Sequence, residues 1–130
     1  MNRVLLDSSV WIEYFRNSNS SISAEVDELI DRENIYTNDL ILAELIPFLK
    51  LRKQSKIIAS LEAIERLPLE IDWEQIINYQ ITNLRNGVNK VGIPDLIIAQ
   101  NAAQNKAMLF TLDKHFKLMS KNIKLKVYLK

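Results

Sequence analysis

The chain has 130 residues, 48% hydrophobic and 25% charged, with a formal net charge of +1, the proportions of one soluble globular domain over residues 1–130. It has no cysteine, which excludes disulfides, thiolate metal sites, iron–sulfur clusters and a cysteine nucleophile. Its single histidine, His115, excludes chemistry that needs two imidazoles, and its two glycines, Gly87 and Gly92, are too few for a dinucleotide fingerprint or a phosphate loop.

In chain order, Val4-Leu5-Leu6 reads as a short buried strand ending at Asp7. Ser8 and Ser9 then cap a helix to about Phe15. After a polar loop over residues 16–21, a second helix is expected over residues 23–32, with Ile22, Val26, Leu29 and Ile30 on one stripe. Residues 34–37 are strand-like. Asn38 or Asp39 caps the next helix, which Pro47 is expected to kink or break. A helix follows over residues 53–66, then a short strand over 67–71 that its proline confines to an edge. The next helix runs from Trp73 to Asn86 and stops at Gly87. Pro94 opens a helix over residues 95–105 that is apolar almost all round and therefore buried. Residues 107–111 form a strand, Asp113 caps a short helix through Leu118, and residues 125–129 alternate as a last strand. Strands separated by one or two helices predict an α/β fold with a mainly parallel central sheet flanked by helices.

No apolar run approaches the roughly 18 residues of a membrane span, and Asp7 arrives too early for a signal peptide. Charge is unevenly spread. Acids crowd residues 62–74, whereas Lys106, Lys114, Lys117, Lys121, Lys124, Lys126 and Lys130 crowd the end. Such a tail is either a solvated surface or a track for a phosphate backbone.

In parallel sheets of this type, ligands sit outside the carboxyl ends of the strands. Asp7 directly follows the first strand, and Asp113 follows the strand at 107–111 by two residues. Asp95 opens the buried helix. Each also suits a capping or helix-dipole role. Glu44 shares a helix face with Leu40, Ile41 and Phe48 and has no Lys or Arg within a turn on that face, a costly place for a charge without a partner. Carboxylates that converge repel one another unless a cation sits among them. Oxygen ligands without His or Cys select a hard ion, Mg²⁺ or Mn²⁺, and such an ion fills its remaining positions with water and phosphate oxygens. The substrate expected is a phosphate ester.

The stretches Leu5-Leu6-Asp7-Ser8-Ser9-Val10-Trp11-Ile12, Leu42-Ala43-Glu44-Leu45, Ile93-Pro94-Asp95-Leu96-Ile97-Ile98-Ala99 and Phe110-Thr111-Leu112-Asp113-Lys114-His115-Phe116 resemble, in order and spacing, the motifs of PIN-domain nucleases, most closely the VapC-type toxins of toxin–antitoxin pairs. The third stretch is the most specific. The resemblance implies a Rossmann-like PIN sheet and an Mg²⁺- or Mn²⁺-dependent endoribonuclease. It maps the family's acids onto Asp7, Glu44, Asp95 and Asp113, with Thr111 and Ser9 in support. It implies a cytoplasmic homodimer, with RNA as substrate and a small cognate antitoxin as silencing partner. Two positions depart from the pattern. His115 stands where the family often has a second acid, and Ile46-Pro47-Phe48 follows the motif glutamate where a glycine is common.

On this reading Asp7, Asp95 and Asp113 bind one ion, directly or through its waters, and Glu44 shares it, holds a second or orients the attacking water. The ion acidifies that water and neutralises charge on the phosphate. By resemblance, the products carry 5′-phosphate and 3′-hydroxyl ends. Lys114 and Lys117 are candidates to hold the substrate backbone. Trp11, Tyr14 and Phe15, at helical spacing, are either core or a groove for an antitoxin segment. One alternative is a PIN-fold module that binds RNA or protein without catalysis. The other is a phosphoacceptor receiver domain, which would need paired acids after the first strand, where this chain has serines.

Overall fold

The structure, a computed structural model, describes residues 2–128. Leu129, assigned above to the last strand, and Lys130, assigned to the basic tail, lie outside the described residues. Three parallel strands form one sheet in the order β2-β1-β3: β1 is Arg3–Leu6, β2 is Ile35–Tyr36 and β3 is Ala107–Phe110. Seven helices are found among the described residues: α1 Ser8–Arg16, α2 Ser20–Asp31, α3 Asp39–Leu51, α4 Ser55–Glu62, α5 Trp73–Arg85, α6 Ile93–Gln104 and α7 Lys114–Met119. The α/β class and the parallel sheet are as expected. No helix among the described residues is long and apolar enough to cross a membrane.

The central strand explains the rest. Val4, Leu5 and Leu6 are all fully buried, because β1 lies between β2 and β3 and its side chains join the one core. This is the continuous apolar run that a two-sided parallel sheet requires. The fully buried side chains of Leu96, Ile98 and Leu109 join it in one core. At about 25 cal/mol per Å² of apolar surface, each such side chain contributes roughly 1.5–3 kcal/mol.

Helix starts follow side-chain caps. Asp7 caps α1, Asn38 caps α3, Asp72 caps α5 and Asp113 caps α7, each accepting from backbone amides of the first turn. Asn19 caps α2, so that helix begins three residues before the expected Ser23. Pro47 neither ends nor divides α3, which continues to Leu51. Pro47 and Ala43 are both on the exposed side, where water can satisfy the carbonyl that the missing N–H leaves free. The helix α4 is shorter than the expected 53–66. Lys53 has a positive φ of 56° before it, and after it the chain turns to lay Arg66 beside Thr37 in a parallel bridge.

Residues 67–71 are not a strand. Carbonyls of this segment and of Asp72 are met by side chains of α6 instead. Asn101 Nδ2 donates to the Pro68 carbonyl at 3.0 Å, Gln104 Nε2 to that of Glu70 at 2.8 Å, and Gln100 Nε2 to that of Asp72 at 3.1 Å. Side-chain amides on a buried helix thus replace a sheet neighbour. The last expected strand is reduced, among the described residues, to one parallel bridge between Leu109 and Val127.

Candidate active site

Asp7 lies at the carboxyl end of β1 and is only 4% exposed. Its amide donates to the Phe110 carbonyl at 3.1 Å, which fixes it against the end of β3. One carboxylate oxygen, Oδ1, accepts from the Ser9 and Val10 amides and from Ser9 Oγ. The other, Oδ2, accepts from Thr111 Oγ1 at 2.5 Å. Burial pushes the Asp7 carboxyl above its ordinary value, and the hydrogen bonds from Ser9, Thr111 and Val10 oppose that rise. Ser9 Oγ in turn accepts from the Leu112 amide at 3.0 Å. The two expected supporting hydroxyls therefore both touch Asp7 and tie β1 to the loop after β3.

Asp113 follows that loop. Its amide donates to Thr111 Oγ1 at 3.0 Å, so one hydroxyl joins Asp7 and Asp113. Asp113 Oδ1 accepts from the His115 amide at 2.9 Å and pairs with His115 Nδ1 at 2.8 Å. His115, the departure noted in the sequence, is thus a direct neighbour of the site. Asp95 sits in the first turn of α6, half-buried. Burial raises its carboxyl first and the negative charge of Asp113 second, while the Gly92 backbone and His115 lower it.

Glu44 corrects one premise. The buried stripe of α3 is Ile41, Leu42, Leu45 and Leu49, and Glu44 stands on the exposed side with Phe48. It is not a charge stranded on an apolar face. Its carboxyl is nonetheless raised, first by partial burial and then by the charges of Asp95 and Asp7, with a hydrogen bond from Ser8 opposing. Ser8, passed over in the sequence as a cap, is therefore a contact of the site. Its signal was its place next to Asp7.

The electrostatic couplings link the four acids. Glu44 feels Asp7 and Asp95, and Asp95 feels Asp113. Lys114 and Lys117 lie on α7, both exposed, next to Asp113 in the chain. Among the described residues, no three acidic or histidine side chains gather tightly enough to form a ready-made metal cage. The donor set is all oxygen, carboxylate and hydroxyl. That fits a hard ion held by one or two carboxylates, with water between it and the others, which is how Mg²⁺ is commonly bound.

A family model for the PIN domain matches residues 4–122. The chain belongs to the PIN domain family. Solved structures share the fold. FitAcB from Neisseria gonorrhoeae is 23% identical, with a TM-score of 0.75 over 97% of this chain and 96% of that one. VapBC2 from Rickettsia felis, crystallised bound to a DNA fragment from its promoter, is 21% identical, with a TM-score of 0.73 over 96% of each chain. DNA-bound VapBC from Salmonella typhimurium is 16% identical, with a TM-score of 0.74 over 98% of each. No curated protein matches the sequence. In this PIN domain Asp7, Thr111 and Asp113 come from the carboxyl ends of adjacent strands, and Glu44 and Asp95 from the helices beside them.

Proposed function

We propose that this PIN domain is an Mg²⁺- or Mn²⁺-dependent endoribonuclease and the toxin of a toxin–antitoxin pair. Asp7, Glu44, Asp95 and Asp113 are its catalytic acids. The observation that carries this reading is geometric: Asp7 lies buried just after β1, Thr111 Oγ1 bonds both its carboxylate and the Asp113 amide, and Glu44 and Asp95 lie near enough for the acids to feel one another's charge. Acids that repel one another at one end of a sheet are stabilised when a cation joins them.

Asp7, Asp95 and Asp113 would hold the ion, directly or through its waters, with Glu44 sharing those waters. When bound, the ion supplies charge neutralisation at the phosphate and a more acidic water. The chain's own residues do the rest. Ser9 and Thr111 hold Asp7 in one orientation, so that it meets the ion without further ordering. Partial burial of Glu44 makes it a better proton acceptor for water than an ordinary surface glutamate. Lys114 and Lys117 supply charge for the substrate backbone.

Two surfaces suit the partners. Trp11, Tyr14 and Phe15 pack on the core and also line a groove of about 390 Å³ with Ile57 and Leu61 of α4. Trp11 is buried, yet its Nε1 has no hydrogen-bond partner among the described residues. An antitoxin segment laid in this groove would cover its apolar surface. On α5, Trp73, Ile77, Ile81 and Leu84 form an exposed stripe at helical spacing. A second copy packed antiparallel about a twofold axis would cover it and set Glu74 of each copy beside Arg85 of the other.

The test is cleavage of single-stranded RNA by the purified chain. Cutting with Mg²⁺ or Mn²⁺ that stops with EDTA supports the reading. Metal binding with no cleavage of any RNA would favour the non-catalytic module.

A further inference from the structure

A second cavity, of about 540 Å³, opens at the other end of β3, between α5, α6 and the last described segment. Its rim carries Lys106, Lys124 and Lys126, and no acidic residue lines it. None of the three lysines is in an ion pair among the described residues. Three ammonium groups around one concavity repel one another, so the site gains when an anion enters.

The walls restrict which anion. Tyr79, half-buried, is part of the wall and supplies an aromatic ring, with Ile123 and Leu125 as apolar neighbours. Two glutamine amides are each half used. Gln75 Oε1 accepts from Gln100 Nε2 at 2.6 Å, and Gln104 Nε2 donates to the Glu70 carbonyl at 2.8 Å. That leaves Gln75 Nε2 as a donor and Gln104 Oε1 as an acceptor at the cavity. A bare phosphate would use the lysines alone. A group with a phosphate, a flat ring and a polar edge would use all of them, and the volume suits a small molecule of that size.

We propose that this cavity binds a nucleoside phosphate, either free or as the 5′-terminal nucleotide of an RNA strand. Lys106, Lys124 and Lys126 take the phosphate, Tyr79 stacks on the base, and Gln75 and Gln104 meet its edge. Lys106 directly precedes β3 and Thr111 directly follows it, so the two sites lie about 17 Å apart along the strand. The cavity is thus separate from the acidic site, and its occupancy does not depend on whether that site cuts RNA.

The experiment is calorimetry on the full chain in EDTA, with AMP, adenosine, inorganic phosphate and a short single-stranded RNA bearing a 5′-phosphate or a 5′-hydroxyl. AMP is expected to bind more tightly than either adenosine or phosphate. The triple variant Lys106→Ala/Lys124→Ala/Lys126→Ala should weaken it about tenfold or more, and Tyr79→Leu severalfold. Lysine-dependent preference for the 5′-phosphorylated RNA with no response to AMP also supports the site and assigns its occupant to an RNA end. The proposal is overturned by AMP binding that ignores the triple variant, by inorganic phosphate matching AMP, or by no binding of AMP or RNA at millimolar concentration. Circular dichroism checks that the variants fold. The three lysines are exposed, so their removal leaves the core intact.

Discussion

Thr111 Oγ1 donates to Asp7 Oδ2 at 2.5 Å, across 104 positions of the chain, and accepts from the Asp113 amide at 3.0 Å. One hydroxyl thus fixes the two acids that end β1 and begin α7. Thr111→Val keeps the shape and removes both bonds. It should lower RNA cleavage about tenfold. It should also move the acidic limb of the pH–rate profile upward, because a bond that lowers the Asp7 carboxyl is gone. Thr111→Ser should restore most of the activity. A pH–rate series on the three proteins decides the point.

Asp7→Asn and Asp95→Asn remove charge without removing volume. Each should reduce cleavage about 100-fold or more. Each should also raise the melting temperature in EDTA, since a repelled, partly buried carboxylate destabilises the metal-free fold. An inactive variant that melts higher than the parent indicates a functional acid, whereas an inactive variant that melts lower indicates a structural one. Paired thermal scans and cleavage assays separate the two.

The same shifts set a pH dependence. Asp7, Glu44 and Asp95 have folded-state values above their unfolded values of 3.8, 4.5 and 3.8. The folded state holds their protons more tightly, so their contribution to stability is full below those unfolded values. It is lost as pH rises through the higher folded values. Without divalent ions, the parent should therefore lose stability between acid and neutral pH relative to Asp7→Asn/Glu44→Gln/Asp95→Asn. Millimolar Mg²⁺ should close that gap at pH 7, since an ion bound only to the folded state stabilises it. Denaturant titrations at acid and neutral pH, with and without the ion, measure it.

Much of this was legible in the sequence because the cues were local. Asp7, Asn38 and Asp113 announce helix starts by their chemistry, and Val4-Leu5-Leu6 announces a central strand by its lack of polar residues. The misses had non-local causes. Residues 67–71 look like a strand, but their carbonyls meet Asn101 and Gln104, polar side chains on a helix that reads as apolar. Glu44 was found for a mistaken reason. It faces the other acids from the exposed side of α3, and only the packing of α3 beside α6 shows this. The contact between Ser8 and Glu44 joins elements 36 positions apart in numbering, and no spacing rule reveals it.

The α5 stripe gives a separate prediction. Ile77 and Leu84 are each 59% exposed, so Ile77→Asp/Leu84→Asp should not disturb the core. If α5 is the self-association surface, the parent should be a dimer and the double variant a monomer with nearly the parent's melting behaviour at low concentration. Light scattering coupled to size exclusion reads this directly.

The most direct measurement is calorimetric titration of Mn²⁺ into the parent chain, Asp7→Asn, Asp95→Asn and the control Asp31→Asn, at the end of α2 before the amino end of β2. Saturable binding by the parent is expected, weakened about tenfold or more in the first two variants and unchanged in the control. Equal affinity in all four proteins, or none in the parent, would contradict a shared cation among these acids.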